Sequence, residues 1–362
     1  MLRKSALFCL ILAITFPALL AAQEQVWEYS FRPGDSLWKI AEKYTTSAGN
    51  WVEIQQLNRD RLGPSRKILP GTRIDIPLSM LKIQPTPARV IALSGGGTLV
   101  RASGEQEAIT LDTKLYSGDR VMTSAGQNLR IQFADKSELQ VLAETEVVFD
   151  RLSHHQQSGM VDTRIRLNSG RLNTRVNRLS DESHYEIRTP AAITAVRGTG
   201  FRLSSDSNQV TRTEVSEGLV AVAVGGVEKA VGAGFGLLAE KGKPLSEPVR
   251  LLAAPEISDQ RLINRNTLQL SWVKLDGAEY YRYQLAQDQA FNRITRDEIT
   301  AHSNVELGDL QPGAYFLRLR GIDRIDLQGA DASLDFNILP PAPEAEQNIK
   351  TTVPIGVLLL IP

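Results

Sequence analysis

The chain has 362 residues, 42% of them hydrophobic and 23% charged, which fits folded domains and excludes a disordered chain. Its 41 basic residues balance 41 acidic ones, so the net charge gives no electrostatic case for nucleic acid, whose partners usually carry a basic face. One cysteine, Cys9, excludes disulfides within the chain and cysteine-based metal sites.

The first 22 residues read as a secretory signal peptide. Arg3 and Lys4 precede an almost wholly apolar run from Ser5 to Leu20, and the small residues Ala21 and Ala22 follow. Cleavage after Ala22 predicts a mature start near Gln23 and a location in the periplasm. The competing reading is a retained anchor, although the run is short for a span of about 20 residues and Pro17 interrupts it. Removing Arg3 and Lys4 leaves 39 basic against 41 acidic residues, a net charge of −2.

Residues 26–82 mix two periodicities. Trp27, Tyr29 and Phe31 alternate with polar residues, as in a strand. Pro33-Gly34 turns the chain, and Asp35 is expected to cap a helix carrying Leu37, Ile40, Ala41 and Tyr44 on one face. Asn50 with Glu53 predicts a capping box for a second helix, whose apolar face would be Trp51, Ile54 and Leu57. Pro70-Gly71 turns again, and Ile74 and Ile76 form a last strand closed by Pro77. The expected order is strand, helix, helix, strand, with both helices on one side of the paired strands.

The string from Tyr29 to Ala41, with Leu57-Asn58 and Leu69 to Pro77, resembles a LysM domain nearly end to end. Ser36 stands where threonine is commoner, and the segment from Arg59 to Lys67 is slightly long. The resemblance implies a small α+β fold (βααβ) that binds N-acetylglucosamine-containing glycans, in bacteria mostly peptidoglycan. It implies two groove-lining loops: Gly34, Asp35, Ser36, Leu37 and Trp38 in one, and Ile68, Leu69 and Pro70 in the other. An N-acetyl group has one amide donor, one carbonyl and one methyl, and a shallow apolar floor edged by polar groups suits it. Taken singly, Asp35 reads equally as a helix cap, and Leu37 and Leu69 as core.

Residues 88–240 read as short strands between Gly, Asn, Asp and Ser turns. The apolar positions include Leu129, Ile131 and Phe133, then Leu139 and Val141, Val147 and Phe149, Ile165 and Leu167, and Leu172 and Val176. This predicts a sandwich, barrel or roll. The stretch Tyr185 to Phe201, with Val215 to Val220, Leu115 to Thr123 and Asn168-Ser-Gly-Arg171, resembles FecR-type domains. Members of that family are β-rich periplasmic modules, and some relay signals to a sigma factor. The cytoplasmic helical segment and central span that such a relay needs are not visible here. Arg197 beside Gly198 reads as a turn-holding guanidinium before it reads as a ligand. Gly95-Gly96-Gly97 reads as a strand turn, because no Lys-Ser/Thr follows it as in a phosphate loop. Gly232, Gly234 and Gly236 fail the same test.

Residues 255–339 alternate again, with Leu268, Leu270 and Trp272 in one strand and a Pro312-Gly313 turn before another. They resemble a fibronectin type III-like β-sandwich, with Trp272 in its core and Tyr315 near a corner. Residues 340–362 read as a proline-rich tail with an apolar end too short to span a membrane.

No enzyme is expected. His154 and His155 are adjacent, so on a strand they face opposite ways. No Gly-x-Ser-x-Gly elbow or His-Glu-x-x-His helix occurs, and no carboxylate pair stands out for glycan hydrolysis. No cofactor or metal is expected. The fold class is thus multidomain and mainly β, and the leading reading is a non-enzymatic peptidoglycan-binding envelope protein. Its FecR-type or C-terminal domain would meet an envelope protein partner. The alternatives are a regulatory component of envelope signalling acting through the FecR-type domain, and a peptidoglycan-active enzyme.

Overall fold

The structure is a computed structural model that describes residues 26–62, 68–82, 84–155, 160–177, 183–196 and 198–340. The signal peptide with Cys9, the start near Gln23, Arg197, the side chain of His155 and the tail beyond Pro340 lie outside the described residues. The chain divides into two compact units between Ile83 and Gln84.

In the first unit, β1 (Val26–Ser30) pairs antiparallel with β2 (Arg73–Pro77), placing Trp27 opposite Ile76 and Tyr29 opposite Ile74. Between them run α1 (Leu37–Tyr44), α2 (Trp51–Leu57) and the short α3 (Arg59–Leu62). In α1, Leu37, Ile40, Ala41 and Tyr44 are buried, and their spacing puts them on one helix face. Tyr44 meets Tyr29 and Trp27 at ring-centre distances of 5.4 and 5.0 Å. Ile54, Ile74 and Ile76 complete the core.

The expected helix starts are corrected. Ser36, not Asp35, caps α1, its hydroxyl accepting from the Lys39 amide at 3.2 Å. Asn50 already has helical angles (φ −61°, ψ −13°) and makes no side-chain cap bond, so no box with Glu53 forms. A 3₁₀ turn over Ala48–Asn50 feeds directly into α2, and Ser47 caps that turn instead, accepting from Gly49 N at 3.2 Å. Only Ile54 of the expected apolar face of α2 is buried, whereas Trp51 and Leu57 are exposed.

Asn58 does work that periodicity does not reveal. Its buried amide donates to Ile54 O (2.8 Å) and Asp75 O (2.7 Å), and its carbonyl accepts from Asp75 N (2.6 Å). It thereby pairs the side of β2 that faces away from β1, where a third strand would otherwise be needed.

The second unit begins with a β-roll of two sheets sharing one long strand, Met160–Arg175. In the first sheet that strand lies between Thr145–His155 and His184–Arg188. In the second it lies between Glu138–Val141 and Gly200–Ser205. The pairing with His184–Arg188 is parallel, and the others described in the roll are antiparallel. Alternation fills the space between the sheets: Leu129, Ile131, Phe133, Leu139, Val141, Val147, Phe149, Ile165, Leu167, Leu172 and Val176 all belong to one buried cluster. Gly95-Gly96-Gly97 joins strand Ala88–Ser94 to strand Thr98–Val100, and Gly95 and Gly96 take positive φ.

The unit ends in a sandwich. Strands Ile257–Asn264, Thr267–Trp272 and Asn304–Leu307 form one sheet. Strands Ile294–Thr300, Tyr280–Ala286, Gly313–Ile322 and Ala332–Ile338 form the other. Trp272 is core, and the Tyr315 hydroxyl donates to Gln311 O at 3.0 Å, a corner tie of the fibronectin type III kind. Arginines of the roll's second sheet clasp loops of the sandwich. Arg202 donates to Gln328 O and Gly329 O at 2.7 Å each, and Arg212 donates to Ile325 O at 2.9 Å.

Candidate functional site

The two loops of the first unit are brought together by the strands that carry them. Beyond the β1–β2 ladder, Phe31 N donates to Thr72 O at 2.8 Å and Gly71 N donates to Phe31 O at 2.7 Å. The segment after β1 is therefore fixed beside the segment before β2. Gly34 (φ 85°) and Gly71 (φ 88°) adopt the left-handed backbone their turns require, which other residues enter only with strain.

Between the loops lies an open groove of about 1030 Å³. Gly34, Asp35, Ser36, Leu37 and Trp38 line it from one loop, and Ile68, Leu69 and Pro70 from the other. Leu37 is mostly buried and forms floor, while Leu69 is 65% exposed. Leu69 is thus no core residue, and its side chain is held at the surface where water is its alternative partner. Trp38, 49% exposed, offers an aromatic face.

The groove has a further wall outside the two loops. Trp51 and Gln55, four residues apart on α2, line the groove with Leu62 of α3. The available signal was that spacing, since Ile54 alone supplies the buried face of α2.

Asp35 braces the first loop rather than capping the helix. Its Oδ2 accepts from the Tyr29 hydroxyl and from Arg32 N, both at 2.7 Å. Burial, and then the hydrogen bond to Asp35, raise the Tyr29 phenol above the ordinary tyrosine range. Asp35→Ala is expected to cost about 1–2 kcal/mol, less than a fully buried charged bond because the site is partly solvated. Three of the four tryptophans lie in this unit, so urea unfolding followed by tryptophan fluorescence measures the loss. An unchanged midpoint would mean that the loop does not depend on this brace.

Residues 29–77 match the LysM domain family model. Residues 119–221 match the FecR protein family model. The first unit is accordingly LysM-like and the roll FecR-like, families associated with peptidoglycan binding and with the cell envelope. No curated protein matches the chain. Among solved structures, a candidate anti-sigma factor of Parabacteroides distasonis is 14% identical over 36% of this chain, with a TM-score of 0.31. The chain spans 58% of that protein's length. The fibronectin type III domain FN3tt is 18% identical over 25% of this chain and 96% of its own, with a TM-score of 0.21.

LysM and FecR-type domains are binding or regulatory modules. Among the described residues, no group of three or more His, Cys, Asp or Glu side chains is placed to hold a metal ion. No helix among them is long and apolar enough to cross a membrane.

Proposed function

We propose that the chain is a non-enzymatic envelope protein that holds peptidoglycan in the groove of its LysM-like unit. The observation that carries this reading is the exposed apolar lining, Leu69 and Trp38 above all, between two loops fixed by backbone hydrogen bonds. Solvent-exposed leucine and tryptophan on a rigid frame suit the acetyl methyl and the apolar face of a sugar ring, with little ordering cost on binding. The binding residues in this reading are Gly34, Asp35, Ser36, Leu37, Trp38, Ile68, Leu69 and Pro70. The module spans 26–82, the FecR-type domain 88–240 and the sandwich 255–339, and the exported protein resides in the periplasm. The match of residues 119–221 to the FecR family supports a second role, in which the roll meets a protein partner in envelope signalling.

A shallow groove predicts a dissociation constant of about 0.1 mM or weaker, about −5 kcal/mol, with retention on the wall strengthened by dense sites. The test is sedimentation with insoluble peptidoglycan. The chain from Gln23 should co-sediment, and Leu69→Asp should reduce the bound fraction at least fivefold with an unchanged unfolding midpoint. A chain starting at Gln84 should stay in the supernatant. Equal co-sedimentation of that truncated chain would place binding in the β-domains and overturn the reading. Release of soluble muropeptides by the pure protein, lost on mutating one carboxylate, would overturn its non-enzymatic part.

A further inference from the structure

A second cavity, of about 470 Å³, opens within the second unit between the roll's second sheet and the sandwich. Five arginines line it, Arg130, Arg175, Arg202, Arg318 and Arg320. Three of them have acidic partners: Arg130 with Glu138 (2.9 Å), Arg202 with Glu214 (2.9 Å) and Arg320 with Asp331 (2.6 Å), although the buried Arg320 Nε makes no well-formed hydrogen bond. Arg175 and Arg318 have no ion pair or side-chain hydrogen bond among the described residues, and the remaining lining acid, Glu217, is exposed.

Arg318 is half-buried on strand Gly313–Ile322, and its guanidinium lies 3.8 Å from the centre of the Phe291 ring. Stacking fixes the plane of the fork but uses none of its N–H donors. Phe291 itself holds a left-handed backbone (φ 58°), which a bulky residue adopts only with strain, and Gln140 Nε2 pins its carbonyl at 2.6 Å. Burial lowers the Arg318 pKa; Asp331 opposes that shift, while Arg130, Arg202 and Arg175 add to it. Its charge is therefore held at a cost that an arriving anion would relieve.

We propose that this cleft is a second binding site, for a short peptide bearing a free carboxylate, which Arg175 and Arg318 receive. A guanidinium meets a carboxylate through two parallel N–H donors. The charge balance selects the ligand: after the internal pairs, two arginines face one carboxylate, so the cleft has room for one arriving carboxylate group of the peptide and disfavours a polyphosphate or nucleic acid. The volume falls in the ordinary range for small-ligand pockets. The peptide stems of peptidoglycan carry such carboxylates; choosing them as the source rests on the wall-binding reading, whereas the site itself does not.

The test is calorimetric titration of the chain from Gln23 with a free stem tripeptide (Ala-Glu-Lys with its carboxylates), its fully amidated form, inorganic phosphate, and an N-acetylglucosamine tetramer. The tripeptide should bind saturably, and the amidated form and phosphate at least tenfold more weakly. Arg318→Gln and Arg175→Gln should each weaken the tripeptide at least tenfold and leave the tetramer unchanged. Leu69→Asp should do the reverse, which separates failure of the cleft from failure of the groove. Arg318→Gln removes no internal ion pair and loses only the stack on Phe291, so the variant should remain folded with a small drop in melting temperature. Arg175 is exposed, and its variant decides the matter should Arg318→Gln fold poorly. No saturable tripeptide binding, arginine variants that bind the tripeptide as tightly as the unsubstituted chain, or phosphate binding as tightly as the tripeptide would each overturn the proposal.

Discussion

Gly170→Ala is expected to destabilise the second unit by about 3–5 kcal/mol, the largest effect of an added methyl at any described glycine. The long strand Met160–Arg175 crosses from one sheet of the roll to the other at this residue. Ser169 is still opposite Glu146 in the first sheet, and Gly170 is already opposite Ser205 in the second. The crossing brings Gly170 against the backbone of Thr145. A Cβ there would lie 2.3 Å from Thr145 Oγ1, 2.5 Å from its Cα and 2.7 Å from Glu144 O, at φ 100°.

Those neighbours cannot retreat. The buried Thr145 hydroxyl accepts from Arg171 N at 3.0 Å, and Thr145 N donates to Thr123 Oγ1 at 3.0 Å. Thr123 in turn donates to Leu142 O at 2.6 Å, so a shift at Thr145 disturbs several strand ends. Overpacking and backbone strain therefore add. Gly225→Ala is the control: its φ is 57°, no atom lies within 4 Å of its added Cβ, and only about 1 kcal/mol of backbone cost is expected. Urea unfolding followed by far-ultraviolet circular dichroism compares the two. Equal losses would mean that the crossing tolerates a side chain and that packing at Thr145 is not the constraint.

Gly170 also shows what was legible in the sequence. Asn168-Ser-Gly-Arg171 stood out as part of a FecR-type pattern, but the pattern alone does not say why glycine is there. The reason is tertiary, because Thr145 lies 25 positions earlier in the chain. Positions that need only a period were readable. The alternating residues from Leu129 to Val176 enter one core, because a strand with one buried face must alternate. The start of α1 was readable only to within a residue. Asp35 and Ser36 both suit a cap, and which one bonds Lys39 N depends on Tyr29 drawing the Asp35 carboxylate away. The spacing of Trp51, Ile54 and Leu57 predicts a shared apolar face for α2. A helix of seven residues against a two-stranded sheet buries a narrower stripe, and Trp51 turns to the groove wall. The eight loop residues line one groove because both loops leave the same strand pair, whereas the α2 wall reaches it only through folding.

Asn58→Ala is expected to remove about 3 kcal/mol from the LysM-like unit and with it most of the wall retention at 37 °C. A folded unit of about 55 residues has only about 3–8 kcal/mol in total. Alanine deletes the bonds to Ile54 O, Asp75 O and Asp75 N, and leaves the amide and carbonyl of Asp75 facing the place vacated by the buried Asn58 amide. Each buried backbone group left unpaired costs about 1–3 kcal/mol. Asn58→Asp tests the same point without a change of size. It keeps an acceptor for Asp75 N but sets a carboxylate against two carbonyl oxygens, so it should be at least as damaging as alanine. Tryptophan fluorescence reads the midpoint, and sedimentation with peptidoglycan at 10 °C and 37 °C reads the consequence. Both variants should bind more at the lower temperature, where more of the unit stays folded, whereas Leu69→Asp should stay weak at both. A midpoint loss below 1 kcal/mol for Asn58→Ala would show that Asp75 finds other partners, and that β2 does not rely on a side chain to complete its edge.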